Sequence, residues 1–181
     1  MSVHHPAAAA SLPLKNDPAA AELGNFAILP LAPRHAEAVA AMAAELSAHE
    51  GVEPPKVRPE DVRGELARPD CVLRGFVAEA AGRAVAYVMH AFAFDTETGR
   101  RGSFICDLYV MGEARRNGLA RALMAAVVRD TAAAGGAWVS WGALSDNEAA
   151  KGFYRTLGRI EEKVESWSLN DAAFAGFLEP S

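Results

Sequence analysis

Cysteine is scarce: Cys71 and Cys106 are the only two in 181 residues. They have neither metal-ligand spacing nor the density of a disulfide framework, so a reducing, cytoplasmic setting is expected and a metal site is not. Positive charge is short as well. Lys and Arg number 18 against 23 Asp and Glu, a formal net charge of −5. General nucleic-acid affinity needs clustered cations, so that class of partner is not expected. No apolar run approaches the ~20 residues that cross a bilayer. Residues 1–24 contain an alanine run but no basic segment, and Pro6 and Pro13 bracket the apolar part. They read as a flexible leader and not as a signal peptide.

What is present is a chain that is 51% hydrophobic, enough for one globular domain with a core of its own. The spacing predicts a short strand in "NFAILPLAPRH" and a helix over "AEAVAAMAAELSAHEG", with Val39, Ala43 and Leu46 on one face and Gly51 at its end. "PEDVRGELARP" reads as a second helix. "CVLRGFVAEAAGRAVAYVMHAFAFD" reads as two strands joined at "AAGR", and "ETGRRG" as another turn. A strand over 103–111, a helix over 118–134 and a strand over 137–144 form a βαβ unit, whose two strands are expected to be parallel. A helix in "NEAAKGFYRTLG" and a last strand in "EEKVESWSL" follow. The order is β-α-α-β-β-β-α-β-α-β, a mixed sheet flanked by helices.

The stretch "EARRNGLARALM" loads the entrance of the long helix with Arg115 and Arg116 and removes a side chain at Gly118. The first amides of a helix lack internal partners and the macrodipole adds positive charge there, so the stretch can seat an anion. Taken alone, a solvated basic turn explains it equally. It is not a Walker loop, which needs lysine and a hydroxyl residue after its glycines. Nor is it a dinucleotide fingerprint, which needs three glycines in a first βαβ unit.

"DLYVMGEARRNGLARALM" resembles the acetyl-CoA-binding motif of the GNAT superfamily of N-acetyltransferases, Arg/Gln-x-x-Gly-x-Gly/Ala, read as Arg115 to Ala120. "WVSWGALSDNEAAKGFYRTLG" resembles the second signature of that family, a strand, then Asn147, then a helix ending Phe-Tyr-x-x-Leu-Gly. The likeness covers about residues 25–170, which leaves 171–181 as a tail. It implies the GNAT fold, acetyl-CoA as cosubstrate and a primary amine as acceptor. The segment before "LYVM" is most similar to the diamine and polyamine branch. Asp107 matches the second acidic position of that branch and Cys106 occupies the first, which leaves polyamine specificity open. The expected acceptor is the primary amine of a small molecule; an amino acid or a protein amine is the alternative, and a CoA-binding sensor without turnover is the rival from another class. The resembling branch also implies a homodimer.

The resemblance assigns the CoA pyrophosphate to the amides of Arg116, Asn117, Gly118, Leu119, Ala120 and Arg121, with Arg115 and Arg116 as charge partners. It assigns the pantetheine arm to the strand at Leu108, Tyr109 and Val110, and support of that arm to Asn147. Tyr154 is the expected general acid, since tyrosine stays protonated to ~10 while the thiol it serves titrates near ~8.5. Asp107 is the expected base for the amine, though a buried strand carboxylate or a cation anchor fits it as well. With neighbours alternating along a strand, only one of Cys106 and Asp107 is expected to face the site. His90 is expected to be packed or at the surface, Trp138 and Trp141 to be core or cleft wall, and His49, Glu50 and Glu53 to lie in a polar loop.

Overall fold

In a computed structural model of the chain, residues 26–51, 53 and 56–157 are described. The elements are β1 (Phe26–Pro30), a 3-10 turn (Pro33–His35), α1 (Ala36–His49), α2 (Pro59–Leu66), β2 (Arg74–Ala80), β3 (Arg83–Asp95), β4 (Arg100–Val110), a 3-10 turn (Gly112–Ala114), α3 (Leu119–Ala133), β5 (Val139–Trp141) and α4 (Glu148–Arg155). They fall in two compact units that meet in sequence after Leu144. The first carries the whole described sheet, and α4 belongs to the second. The expected leader, the strand expected in "EEKVESWSL" and the C-terminal tail lie outside the described residues.

The sheet order is β1-β2-β3-β4-β5. The first four strands are antiparallel and β5 is parallel to β4, as the βαβ pattern requires. The β2–β3 hairpin turns at Ala81 and Gly82, both at positive φ, the geometry that suits a two-residue loop between twisted strands. Alanine and aliphatic residues bury one stripe of each long helix. Val39, Met42 and Ala43 of α1 pack with Val77, Tyr87 and Tyr109 of the sheet. On α3, Leu119, Leu123, Ala126 and Val127 are all buried, the face that helical spacing predicts.

Two differences from the sequence-based expectation matter for the site. β4 begins at Arg100, because Arg100 and Arg101 still pair with Asp95 and Phe94, so the turn is shorter than "ETGRRG". β5 is only three residues long, pairing Val139–Trp141 with Ser103–Ile105. The cause lies in β4. The β3–β4 register places Met89 opposite Asp107 and His90 opposite Ile105, which leaves Cys106 as the extra residue of a bulge. A bulge bends its strand and increases the local twist, so β5 stops following β4 where the bulge begins.

Candidate active site

The bulge decides which side chains share a face. Before it, Ser103 faces α3, where its hydroxyl meets that of Thr131 at 2.7 Å. After it, Tyr109 faces α1, where its hydroxyl donates to Glu45 at 2.9 Å. In a regular strand Ser103, Ile105, Asp107 and Tyr109 would all point the same way; the extra residue sends Asp107 and Tyr109 to the α1 side. Simple alternation is therefore broken between Ile105 and Asp107.

Asp107 is half-buried, and the Tyr87 hydroxyl donates to its Oδ2 at 3.3 Å. Burial pushes its carboxyl pKa up, and the bond from Tyr87 opposes that shift. Tyr87 is fully buried, and burial, then the charge of Asp107, push its own pKa far above the ordinary tyrosine value. Partial desolvation, then the Asp107 charge, push the Cys106 thiol up as well. A thiol held protonated is a poor nucleophile, so Cys106 does not favour a ping-pong route.

The strand then runs into the loop that the sequence singles out. Past Ile105, Leu108, Tyr109 and Val110 continue beside β3, where β5 no longer pairs with β4. The 3-10 turn Gly112–Ala114 leads to Arg115, in extended conformation, then to Arg116 at φ 65° and Gly118 at φ 75°. Asn117 Nδ2 donates to the carbonyls of Ala114 and Arg115 at 3.2 and 3.3 Å and closes the loop from inside. Left-handed residues in such a turn curl the backbone into a concavity of amides that receives anions.

α3 begins after Gly118 with no side-chain cap and no acidic residue in its first turn. Its first rung runs from the Ala122 amide to the Gly118 carbonyl at 3.0 Å. By helix geometry the amides of Leu119 and Ala120 precede that ladder. Helix starts ordinarily favour an acidic or hydroxyl side chain. An uncapped start beside two arginines instead fits an external anion such as a pyrophosphate, so these residues suit the phosphates of acetyl-CoA. The two arginines differ. Arg115 turns back, with Nε donating to the Val110 carbonyl at 3.0 Å and its guanidinium 5.8 Å from the centre of the Tyr109 ring. Arg116 is exposed.

In the second unit, Asn147 caps α4, its Oδ1 accepting from the Ala150 amide at 3.0 Å. Tyr154 stands half-buried near the other end of this helix, its ring 5.4 Å from that of Phe153. The remaining expectations sort readily. His90 is a packed histidine, its Nδ1 3.3 Å from Ser103 Oγ. Trp138 lies across Gly102 in the sheet. A cavity of about 360 Å³ at the far end of the β3–β4 hairpin involves Phe92, Phe94, Arg101 and Thr131. It opens on the α3 side, the face opposite Asp107, so its size does not mark the reacting centre. Among the described residues no helix is long and apolar enough to cross a membrane.

With this geometry in view, the sequence model of the acetyltransferase (GNAT) family matches residues 39–158, well over half the chain. The chain belongs to the GNAT acetyltransferase family. It is an acetyltransferase, and acetyl-CoA is its cosubstrate. No curated protein matches it by sequence. Solved structures share the fold. An aminoglycoside acetyltransferase from an uncultured soil metagenomic sample, in complex with trehalose, is 19% identical with a TM-score of 0.68, covering 81% of this chain and 96% of its own. A ribosomal-protein-alanine N-acetyltransferase from Brucella melitensis biovar Abortus 2308 is 18% identical with a TM-score of 0.65, covering 81% and 99%. An aminoglycoside N-acetyltransferase in complex with CoA is 21% identical with a TM-score of 0.64, covering 80% and 100%. The names of these neighbours span small-molecule and protein acceptors, so the shared fold does not choose between them.

Sequence reasoning missed Tyr87 and Glu45. Both bind side chains on β4, and only strand register or helix packing brings them there. Tyr87 lies twenty residues from Asp107 in sequence, with no motif joining them.

Proposed function

We propose that the chain acetylates a primary amine of a small cationic molecule by direct transfer from acetyl-CoA, with Tyr154 as general acid and Asp107 as proton acceptor. The reading is carried by one observation: left-handed Arg116 and Gly118 lead into an uncapped α3 at the end of the strand that holds Asp107. The pyrophosphate would be held by the amides from Arg116 to Arg121 with Arg116 as the charge partner. The pantetheine arm would run along Leu108, Tyr109 and Val110, and Asn147 would support it.

An alkylamine of pKa ~10.4 is neutral in about one molecule in a few thousand at pH 7, an offset of roughly 4–5 kcal/mol. A carboxylate whose pKa is raised by burial is a better proton acceptor than an ordinary one. The freed amine attacks the thioester carbonyl carbon and the carbon–sulfur bond breaks. One proton of the ammonium goes to Asp107, directly or through water; the departing thiolate takes a proton from Tyr154, and the second proton, shed by the nitrogen as the carbon–nitrogen bond forms, restores Tyr154 through solvent. Glu45 on the same face and Glu50 just past α1 add negative charge that favours a cationic acceptor. Diamines, polyamines and aminoglycosides all carry that charge.

The experiment is thiol release from acetyl-CoA against polyamines, diamines, amino acids, aminoglycosides and peptide N-termini, with Tyr154→Phe in parallel. Release with a small polycationic amine is expected. Tyr154→Phe should lower kcat by about 100-fold or more, the scale of a lost general acid, with the acetyl-CoA Kd unchanged. A Tyr154→Phe enzyme with native kcat removes the acid role. Release confined to peptide N-termini moves the acceptor to a protein amine.

A further inference from the structure

We propose that Tyr87 is a positioning residue for acetyl transfer: from β3 it holds one oxygen of Asp107 and presents the other to the amine. This rests on the reading of Asp107 as proton acceptor. The β3–β4 register pairs Tyr87 with Tyr109 and Met89 with Asp107. The Tyr87 hydroxyl therefore crosses to the diagonal neighbour, where it meets Asp107 Oδ2 at 3.3 Å. The bulge at Cys106 makes this possible, since it brings Asp107 onto the face that Tyr87 occupies.

Tyr87 has no exposed surface, so it acts through Asp107 and not on substrate. The other charged and titratable groups around the pair are accounted for. Tyr109 on β4 is engaged with Glu45 of α1, Arg115 lies over the Tyr109 ring, Cys106 adjoins Asp107, and Glu50 follows α1. Among the described residues no cation pairs with Asp107, and the Tyr87 hydroxyl is the donor that favours its ionised form. Tyr87 itself stays protonated across the working range, so it remains a donor whenever Asp107 is charged.

Tyr87→Phe removes the hydroxyl and keeps the ring. Loss of a bond to the ionised carboxylate raises its pKa, so the acid limb of kcat/KM should move up by about 0.5–1 pH unit. The rate should rise to a plateau at higher pH, and the acetyl-CoA Kd, which also reports that the variant is folded, should be unchanged. Carboxyl NMR of the full chain, with the Asp107 signal assigned through Asp107→Asn, should show the same upward movement without reference to turnover. An Asp107 signal that titrates in Tyr87→Phe as in the native chain overturns the proposal, as does a rate loss equal at every pH. Asp107→Asn separates the two layers. If it keeps native activity and the native acid limb, Asp107 is not the acceptor and Tyr87 has nothing to position. If it loses the limb while Tyr87→Phe titrates like the native chain, the role of Tyr87 alone fails.

Discussion

The Tyr109 hydroxyl donates to Glu45 Oε2 at 2.9 Å and ties β4 to α1. The Tyr109 ring is buried and lies under the Arg115 guanidinium. One side chain thus joins the helix on the Asp107 face to the loop that precedes α3. Tyr109→Phe keeps the ring contacts, removes the hydroxyl and leaves Glu45 without it. A single hydrogen bond of this kind contributes about 0.5–1.5 kcal/mol. Urea unfolding of Tyr109→Phe should show a loss within that range, with an unchanged m-value. A loss near zero would mean that α1 is held by its apolar stripe alone.

Two buried histidines make the fold lose stability as pH falls. His35 Nδ1 accepts the Ala32 amide at 2.9 Å and its Nε2 donates to Glu79 at 2.9 Å, so the ring is the neutral Nε2–H tautomer. A proton on Nδ1 would displace the amide bond. Burial pushes the pKa of His35, and likewise that of His90, below the ordinary histidine value. The unfolded chain therefore binds more protons than the folded one as pH falls below ~6.5, and stability drops there. One proton sets an upper bound of about 1.4 kcal/mol per pH unit on the slope each histidine contributes. Urea midpoints at pH 7.5, 6.5 and 5.5 should fall in that order, and His35→Gln should flatten the decline. Midpoints that rise towards pH 5.5 would contradict the neutral assignment.

Much of this architecture was legible in the sequence. The helical stripe of Leu119, Leu123, Ala126 and Val127, the hairpin at "AAGR" and the parallel pairing across α3 follow from period and turn chemistry. The loop from Arg115 to Ala120 was legible as a motif. The bulge at Cys106 was not, because "SFICDLYV" reads as an ordinary run of strand-forming residues. A bulge is a property of the pairing with β3, and nothing local requires the extra residue. With the bulge went the facing of Asp107, the length of β5 and the partnership with Tyr87. In the sequence Arg115 reads as a charge for phosphate; its bond to the Val110 carbonyl is a return contact that spacing does not reveal.

At Gly102 of β4 the residue just before β5, Trp138, presses against the strand. A Cβ built there would lie 2.1 Å from the Trp138 ring and 2.5 Å from the Trp138 carbonyl oxygen. The ring is held by its indole N–H, which donates to the Arg100 carbonyl at 3.1 Å. Because backbone as well as side chain stands in the way, Gly102→Ala should cost about 1–3 kcal/mol, the range for overpacking. Thermal unfolding measures it. Indole fluorescence should shift with it, since the ring must leave its place on β4. A native melting temperature would show that β5 can slide away from β4 at no cost.

Arg116 distinguishes an anion seat from a solvated turn. It holds φ 65°, a conformation that non-glycine residues adopt at a cost, and its side chain is exposed. Left-handed backbone of this kind costs of order 1 kcal/mol or more, and a surface turn free of function has no reason to keep an arginine there. Arg116→Gly removes both the strain and the charge. The melting temperature should therefore rise, or at least hold, while the acetyl-CoA Kd weakens by about 5–10-fold, roughly 1–1.4 kcal/mol. The native Kd should also weaken with salt more steeply than that of the variant, because exposed charge is screened. Calorimetric titration measures both. If stability rises and acetyl-CoA binds as before, Arg116 belongs to an ordinary turn, and the amides at the start of α3 hold the phosphates without it.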